Sequence, residues 1–339
     1  MFLKKDNLAV SNRYKPIAMK KYFLALLFLL LVTTVFAQTW ENLKTQNECT
    51  NRHENALVAV GDQLVLVGGR GIKPVETFEF KSNSWTKKVE TPLEMHHFQA
   101  VAYKNELWVL GGFTGGYPHE KPIPNIYIFN PQKNEWRKGA DIPQDRLRGA
   151  AGVFVYQNKI YIVCGIQDGH WDGHVGWLDE YDPKTNSWRK LPDAPHVRDH
   201  VHAALIDHKI YIAGGRRSTA RIGQVLNLTE PAVDVFDFKT NTWTTLPESQ
   251  NLPTRRAGAS SVAWGKKLLV IGGESDTQVP AHSEVEALDT QTLTWEKLPN
   301  LQKGRHGTGA INYKGNIYIV AGSGNRGGGP ELNSVEVLK

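Results

Sequence analysis

A small-residue doublet recurs six times along the chain, each time closing a short apolar run. The doublets are Gly68-Gly69, Gly111-Gly112, Cys164-Gly165, Gly214-Gly215, Gly272-Gly273 and Ala321-Gly322. A Trp follows five of them, at Trp85, Trp136, Trp188, Trp243 and Trp295, in steps of 51, 52, 55 and 52 residues. This period constrains the chain more than any other feature. A unit of about 50 residues cannot bury an apolar face alone and must stack on its neighbours. Each unit reads as four strands. Ala56-Leu57-Val58-Ala59-Val60 typifies the first, and Ile160-Tyr161-Ile162-Val163 the second, which runs into the doublet. Ala232-Val233-Asp234-Val235-Phe236-Asp237 typifies the third, and the Trp opens the fourth. Period-two patterning between turn residues predicts an all-β chain.

Six doublets but five such Trp leave one unit without its outer strand. Thr39-Trp40-Glu41-Asn42-Leu43 supplies a matching segment at the other end of the repeat. The N-terminal strand around Trp40 is therefore expected to complete the last unit and close a ring, which removes free sheet edges. The expected architecture is a six-bladed β-propeller of four-stranded blades over residues 38–339.

Residues 1–37 read as a separate object. Lys20-Lys21 precede an apolar run from Tyr22 to Val32, and Ala37 stands at a plausible cleavage point. That is the pattern of a secretory signal, and the run is short for a membrane span. Met19 is the expected true start. The export expectation is periplasmic or extracellular, with no stable membrane span after cleavage. The leader holds six Lys and Arg against Asp6, so the formal charge of +6 falls to near +1 without it. The basic balance thus loses its nucleic-acid meaning. Two Cys, Cys49 and Cys164, are too few for a disulfide scaffold.

The doublets, the Trp and the period together resemble kelch repeats across essentially all of 38–339. The resemblance implies that the Gly doublets end the second strands. It also implies that Trp40, Trp85, Trp136, Trp188, Trp243 and Trp295 pack between neighbouring sheets. A kelch fold specifies architecture and leaves function to its loops. In a four-stranded meander, the loops between second and third strands share a face with the entries to the first strands. That face carries the long unlike loops 113–125, 166–176, 216–231, 274–283 and 323–333. Such loops on a rigid frame are the candidate site.

Sixteen residues before each doublet stand Arg52, Met95, Arg148, Arg198, Arg256 and Arg305. Five arginines at one repeat position read either as braces bonding carbonyls or acids of a neighbouring blade, or as an anion clamp around the channel mouth. Met95 breaks the series and is followed by His96 and His97, facing a less charged part of a ligand. The loop from Gln167 to Trp177 holds His170, Trp171, Asp172 and His174. Trp171 suits stacking on a sugar ring while Asp and His bond its hydroxyls. Tyr117 and Glu120 join from loop 112–120, Arg198, Asp199, His200, His202 and Arg216 from the fourth unit, and Arg326 from the last.

His170, Asp172 and His174 have suitable ligand chemistry for a transition metal. Their spacing matches no metal motif, so neither metal nor cofactor is assigned. The main functional expectation is an extracytoplasmic protein that binds a carbohydrate or another small anionic ligand. The alternative is an epimerase or mutarotase acting on an acidic sugar, which the distant resemblance to the N-acetylneuraminate epimerase type implies. Its catalytic candidates are His200, His97, Asp199 and Glu120, with Arg148 or Arg256 holding a carboxylate. A protein-interaction propeller is the third reading. The copper-oxidase pattern is excluded for want of a suitable Cys–Tyr pair.

Overall fold

The computed structural model describes residues 38–339 together with Met1 and Phe2. The leader and start-codon expectations fall on residues outside that description. Among the described residues, six four-stranded antiparallel sheets follow one another along the chain. The first is Asn55–Val60, Gln63–Gly68, Pro74–Glu79 and Ser84–Glu90. The last is Ala310–Tyr313, Asn316–Val320, Val335–Leu338 and the N-terminal strand Trp40–Asn42. Trp40 pairs with Leu338 and Asn42 with Glu336, so the last blade is built from both ends of the repeat. Residues Gln38–Lys339 form one compact unit. No helix among the described residues is long and apolar enough to cross a membrane.

The core lies between blades. Second strands such as Leu64–Val67 and Leu268–Ile271 are buried on both faces, which explains their unbroken apolar runs. The Trp positions behave as interblade sutures. Trp40 and Trp85 are buried, and Trp136, Trp188, Trp243 and Trp295 are half-buried, the last three with indoles reaching the preceding unit. Trp188 Nε1 donates to Asp141 O at 3.0 Å, Trp243 Nε1 to Pro192 O at 2.7 Å and Trp295 Nε1 to Gln250 O at 2.8 Å. Each bond spares a partly buried N–H from going unpaired.

The five-fold arginine series braces blades, and the clamp reading is corrected here. Arg52, Arg148, Arg198, Arg256 and Arg305 are fully buried. Arg198 bonds Gly214 O and Ala232 O at 2.9 Å each and Asp234 at 2.6 Å. Arg52 does the same with Gly68 O, Pro74 O and Glu76. Arg148 pairs with Asp179, Arg256 with Glu286 and Arg305 with Glu336. Every acid sits on the third strand of the same blade, so the brace ties a blade to itself rather than to a neighbour. Neighbours are joined by backbone instead, as in Gly165 N to Arg198 O at 2.8 Å.

Blade two explains its own exception. Register with the Trp strand places Tyr127 where the other blades carry the acid. Tyr127 packs on the apolar cluster that contains Met95. Arg and its acid are thus replaced together by Met and Tyr, which leaves no buried charge unpaired. Met95 is core and faces no ligand.

Two residues past each arginine position the chain enters the left-handed region: Glu54, His97, Ala150, His200, Gly258 and Gly307 have φ between 49° and 61°. Bonds pass around this ring, from His97 N to Glu54 O, Ala150 N to His97 O, Gly258 N to His200 O and Gly307 N to Gly258 O. Left-handed non-glycine residues carry a conformational cost and cluster at functional sites. The ring encircles the channel, which encloses a cavity of about 30 Å³.

Candidate active site at the channel mouth

The ring delivers Glu54, His97 and His200 to one point. Two short hairpins in the long loops add to it. Phe113–Thr114 pairs with Lys121–Pro122, and Ile166–Asp168 with Asp172–His174. The first carries Glu120 and the second His170, both buried. Gly169 permits this approach, because a Cβ there would stand 2.5 Å from Pro118 O and from Glu120 N. The His97, His170 and His200 rings lie 4.8 to 5.2 Å apart, centroid to centroid.

Each ring is held by a partner on Nδ1. His200 Nδ1 bonds Asp199, and His170 Nδ1 bonds Glu120 at 3.0 Å. A carboxylate accepts, so both rings donate from Nδ1 and present a bare Nε2. His96 Nε2 meets Gly115 O at 3.0 Å, so it is the donor there, and His96 Nδ1 is an acceptor. His97 Nδ1, 2.6 Å from that atom, therefore donates to it, and His97 Nε2 is also bare. His200 Nε2 is buried with no hydrogen-bond partner. His97 Nε2 stands 3.4 Å from Glu54 Oε2.

The remaining groups form a charged belt. Asp199 also meets His174 Nε2 at 2.9 Å and accepts from Ser218 Oγ at 2.9 Å. Arg216 Nε donates to Ser218 Oγ at 2.8 Å, and its Nη1 pairs with Glu274 at 2.5 Å. Glu274 Oε2 accepts from Gly327 N and lies 3.4 Å from His306 Nε2. His306 Nδ1 lies 3.7 Å from Glu54 Oε1. Glu120 is additionally paired with Arg70 at 2.7 Å.

Burial dominates the electrostatics. It pushes His97 well below the ordinary histidine range, helped by His96 and His200, and His200 down with help from Arg216. Burial and then Arg70 lower His96 to about 4. Burial lowers His202, which lines the channel, to about 4. Burial opposes ionisation of Asp199, Glu54 and Glu274, yet neighbouring His and Arg hold all three below the usual carboxylate range, Glu274 at about 2.

Of the sequence candidates, His96, His97, Glu120, His170, His174, Asp199, His200 and Arg216 come together here. Tyr117 is exposed on the rim with its ring 5.3 Å from that of His170. Trp171 lies against His119, and Asp172 pairs with Arg221 at 3.0 Å, away from the histidine cluster. Arg326 donates to Asp276 O on the rim. Glu54, Arg70, Glu274 and His306 were missed. The column two residues past the arginines, read across all six units, would have exposed Glu54 beside His97 and His200. The loop partners carry no such signal.

The family model described as the KLHDC2/KLHL20/DRC7 Kelch-repeats domain matches residues 28–215 and 180–339. Kelch-like protein terF of Aspergillus terreus is 27% identical over 80% of this chain and 61% of its own length. Kelch-like protein 38 of Rattus norvegicus is 22% identical over 81% of this chain and 45% of its own. The chain thus spans about half to three-fifths of these relatives. The solved structure titled "Structure of YjhT" superposes with a TM-score of 0.72 at 16% identity, covering 87% of this chain and 99% of that one. At that identity the likeness concerns the fold. The split last blade, the doublets and the matched model together make this chain a member of the kelch-repeat family.

Proposed function

We propose that the chain is an enzyme of carbohydrate chemistry, an epimerase or mutarotase that acts on an acidic sugar outside the cytoplasm. The observation that carries the proposal is His200, buried, tied by Nδ1 to Asp199 and left with a bare Nε2 at the channel mouth. That is the arrangement of a general base oriented by a carboxylate. Anomer exchange needs a base and an acid on two sides of the sugar. His200 lies in the fourth blade, opposite Glu54 in the first. His306, whose ring nitrogens face Glu54 and Glu274, stands on the Glu54 side. In the proposed reaction His200 Nε2 takes the anomeric hydroxyl proton while His306, set between the Glu54 and Glu274 carboxylates, protonates the ring oxygen. The ring C–O bond breaks, the carbonyl forms, and reclosure on its other face returns both protons.

Arg216 and Arg70 replace the buried braces as the carboxylate-binding arginines. The cavity inside the ring, about 30 Å³, has room for a water or an ion and not for a sugar ring. The sugar therefore lies above it, against Tyr117, whose ring is 5.3 Å from that of His170. A propeller that only binds sugar has no use for three buried rings and four buried carboxylates at one point, since such groups are costly to desolvate. The leader 1–37 supports export.

The test is anomer exchange by NMR with residues 38–339 and a panel of hexuronic and nonulosonic acids. The expected result is catalysed exchange of one acidic sugar, lowered about 100-fold or more in His200→Gln, with binding weakened about ten-fold in Arg216→Gln. Exchange no faster than in buffer for every acid tested overturns the proposal.

A further inference from the structure

The geometry assigns a divalent transition-metal site to the Nε2 atoms of His97, His170 and His200. Hydrogen-bond bookkeeping carries the inference. The acceptors on the three Nδ1 atoms leave each neutral ring its lone pair on Nε2. The ligand atoms of the three residues lie within 4.8 Å of one another, and all three side chains are buried. Glu54 brings a carboxylate oxygen to 3.4 Å from one of those lone pairs. Three lone pairs and a carboxylate facing one space, with His200 Nε2 unpartnered, form a set of acceptors with no donor. A cation at that point resolves the repulsion.

The surroundings are those of a metal centre. Ligating histidines characteristically donate their other ring nitrogen to a carboxylate or another acceptor, which fixes the ring and raises its basicity. Here Glu120, Asp199 and His96 fill that role, and Glu120 and Asp199 are themselves held by Arg70 and Ser218. Three imidazoles suit zinc, copper or nickel, and three protein ligands leave a position open for water or substrate. Zinc–nitrogen bonds of about 2.1 Å put tetrahedral ligand atoms about 3.4 Å apart. The 4.8 Å within which one nitrogen of each ring lies exceeds that spacing by about 1.4 Å. We take zinc as the reference ion.

As a metal site the inference rests on the rings alone. As part of a reaction it rests on the sugar reading above. An ion at the three Nε2 atoms would occupy the lone pair of His200 and hold the anomeric oxygen, and the acidified hydroxyl proton would pass to the Glu54 carboxylate, 3.4 Å from His97 Nε2, instead of to His200. His306, beside Glu54 and Glu274, keeps the ring-oxygen side of the exchange.

The test is titration of chelator-treated residues 38–339 with Co2+ and Zn2+, without sugar. Cobalt reports its own coordination through visible absorption. The expected result is one tight site per chain, with the intense bands of a four- or five-coordinate ion that zinc displaces. His170→Ala, in a loop outside the blades, should lose affinity at least 100-fold, and His200→Gln likewise. Glu120→Gln should weaken it about 10- to 100-fold, the range for lost outer partners. His119→Asn, on the exposed rim, should leave it unchanged. No stoichiometric binding, or binding unaffected by His170→Ala in a protein of native thermal melt, overturns the site. Anomer exchange by the metal-free protein with no metal uptake sinks the metal inference and leaves the sugar reading. Metal uptake without exchange of any acidic sugar does the reverse.

Discussion

Arg198 shows how one residue type serves two ends. Its fork fits two carbonyls and one carboxylate at once, so a buried charge is fully satisfied and the blade entry is pinned. Arg216, also buried, is held by Glu274 and Ser218 beside the histidine cluster instead. The repeat position sets Arg198 apart from Arg216, which directly follows a doublet, but position alone does not say which of the two is a brace. Only the column of third-strand acids distinguishes a brace. Arg198→Ala removes the guanidinium from buried Asp234 and leaves it only His196 and Thr245. It should cost about 3–5 kcal/mol in chemical denaturation, the range for breaking a buried pair. The double replacement Arg198→Met with Asp234→Tyr copies blade two and should recover most of that loss. A double variant no more stable than the single one would refute the reading of the exception.

At the scale of elements, strands were legible and the hairpins within loops were not. Strand two of each blade announces itself by apolar runs, and the doublet marks its end. The hairpins carrying Glu120 and His170 have two or three residues per strand. No periodicity is readable over such lengths, and their partners lie 50 residues apart. His97, His200, Asp199 and Glu120 were named from their residue types, while the trio of His97, His170 and His200 depends on spatial proximity. Within the third blade, Glu180 illustrates strand-to-strand electrostatics. It is buried and accepts from Tyr161 at 2.8 Å, Lys159 at 2.6 Å and Arg189 at 2.6 Å. Burial opposes its ionisation, yet Arg189, Lys159 and Tyr161 hold it at about 2. A carboxyl lowered on folding contributes stability that is complete above its ordinary range, near 4.5, and fades as pH falls toward 2. Thermal melts should therefore decline over that window by less in Glu180→Gln than in the parent. Parallel declines would show that Glu180 does not contribute.

The whole molecule joins a rigid frame to a concentrated site. Closure through Trp40–Asn42 fixes the six blades around one channel, so ring positions in separate blades meet at a common point. The repeat leaves half of this ring inert, with Ala150, Gly258 and Gly307 at three of six positions, and places Glu54, His97 and His200 at the others. Chemistry has been gathered by breaking the repeat at selected positions, which is why repeat reasoning found the frame readily and the site only in part. The most direct measurement is a crystal structure of residues 38–339 soaked with zinc and the acidic sugar that exchanges. The account expects an anomalous peak bonded to the Nε2 atoms of His97, His170 and His200, with the sugar above it and its carboxylate on Arg216 or Arg70. Zinc bound elsewhere with an unoccupied histidine trio, or sugar on the opposite face of the propeller, would contradict it.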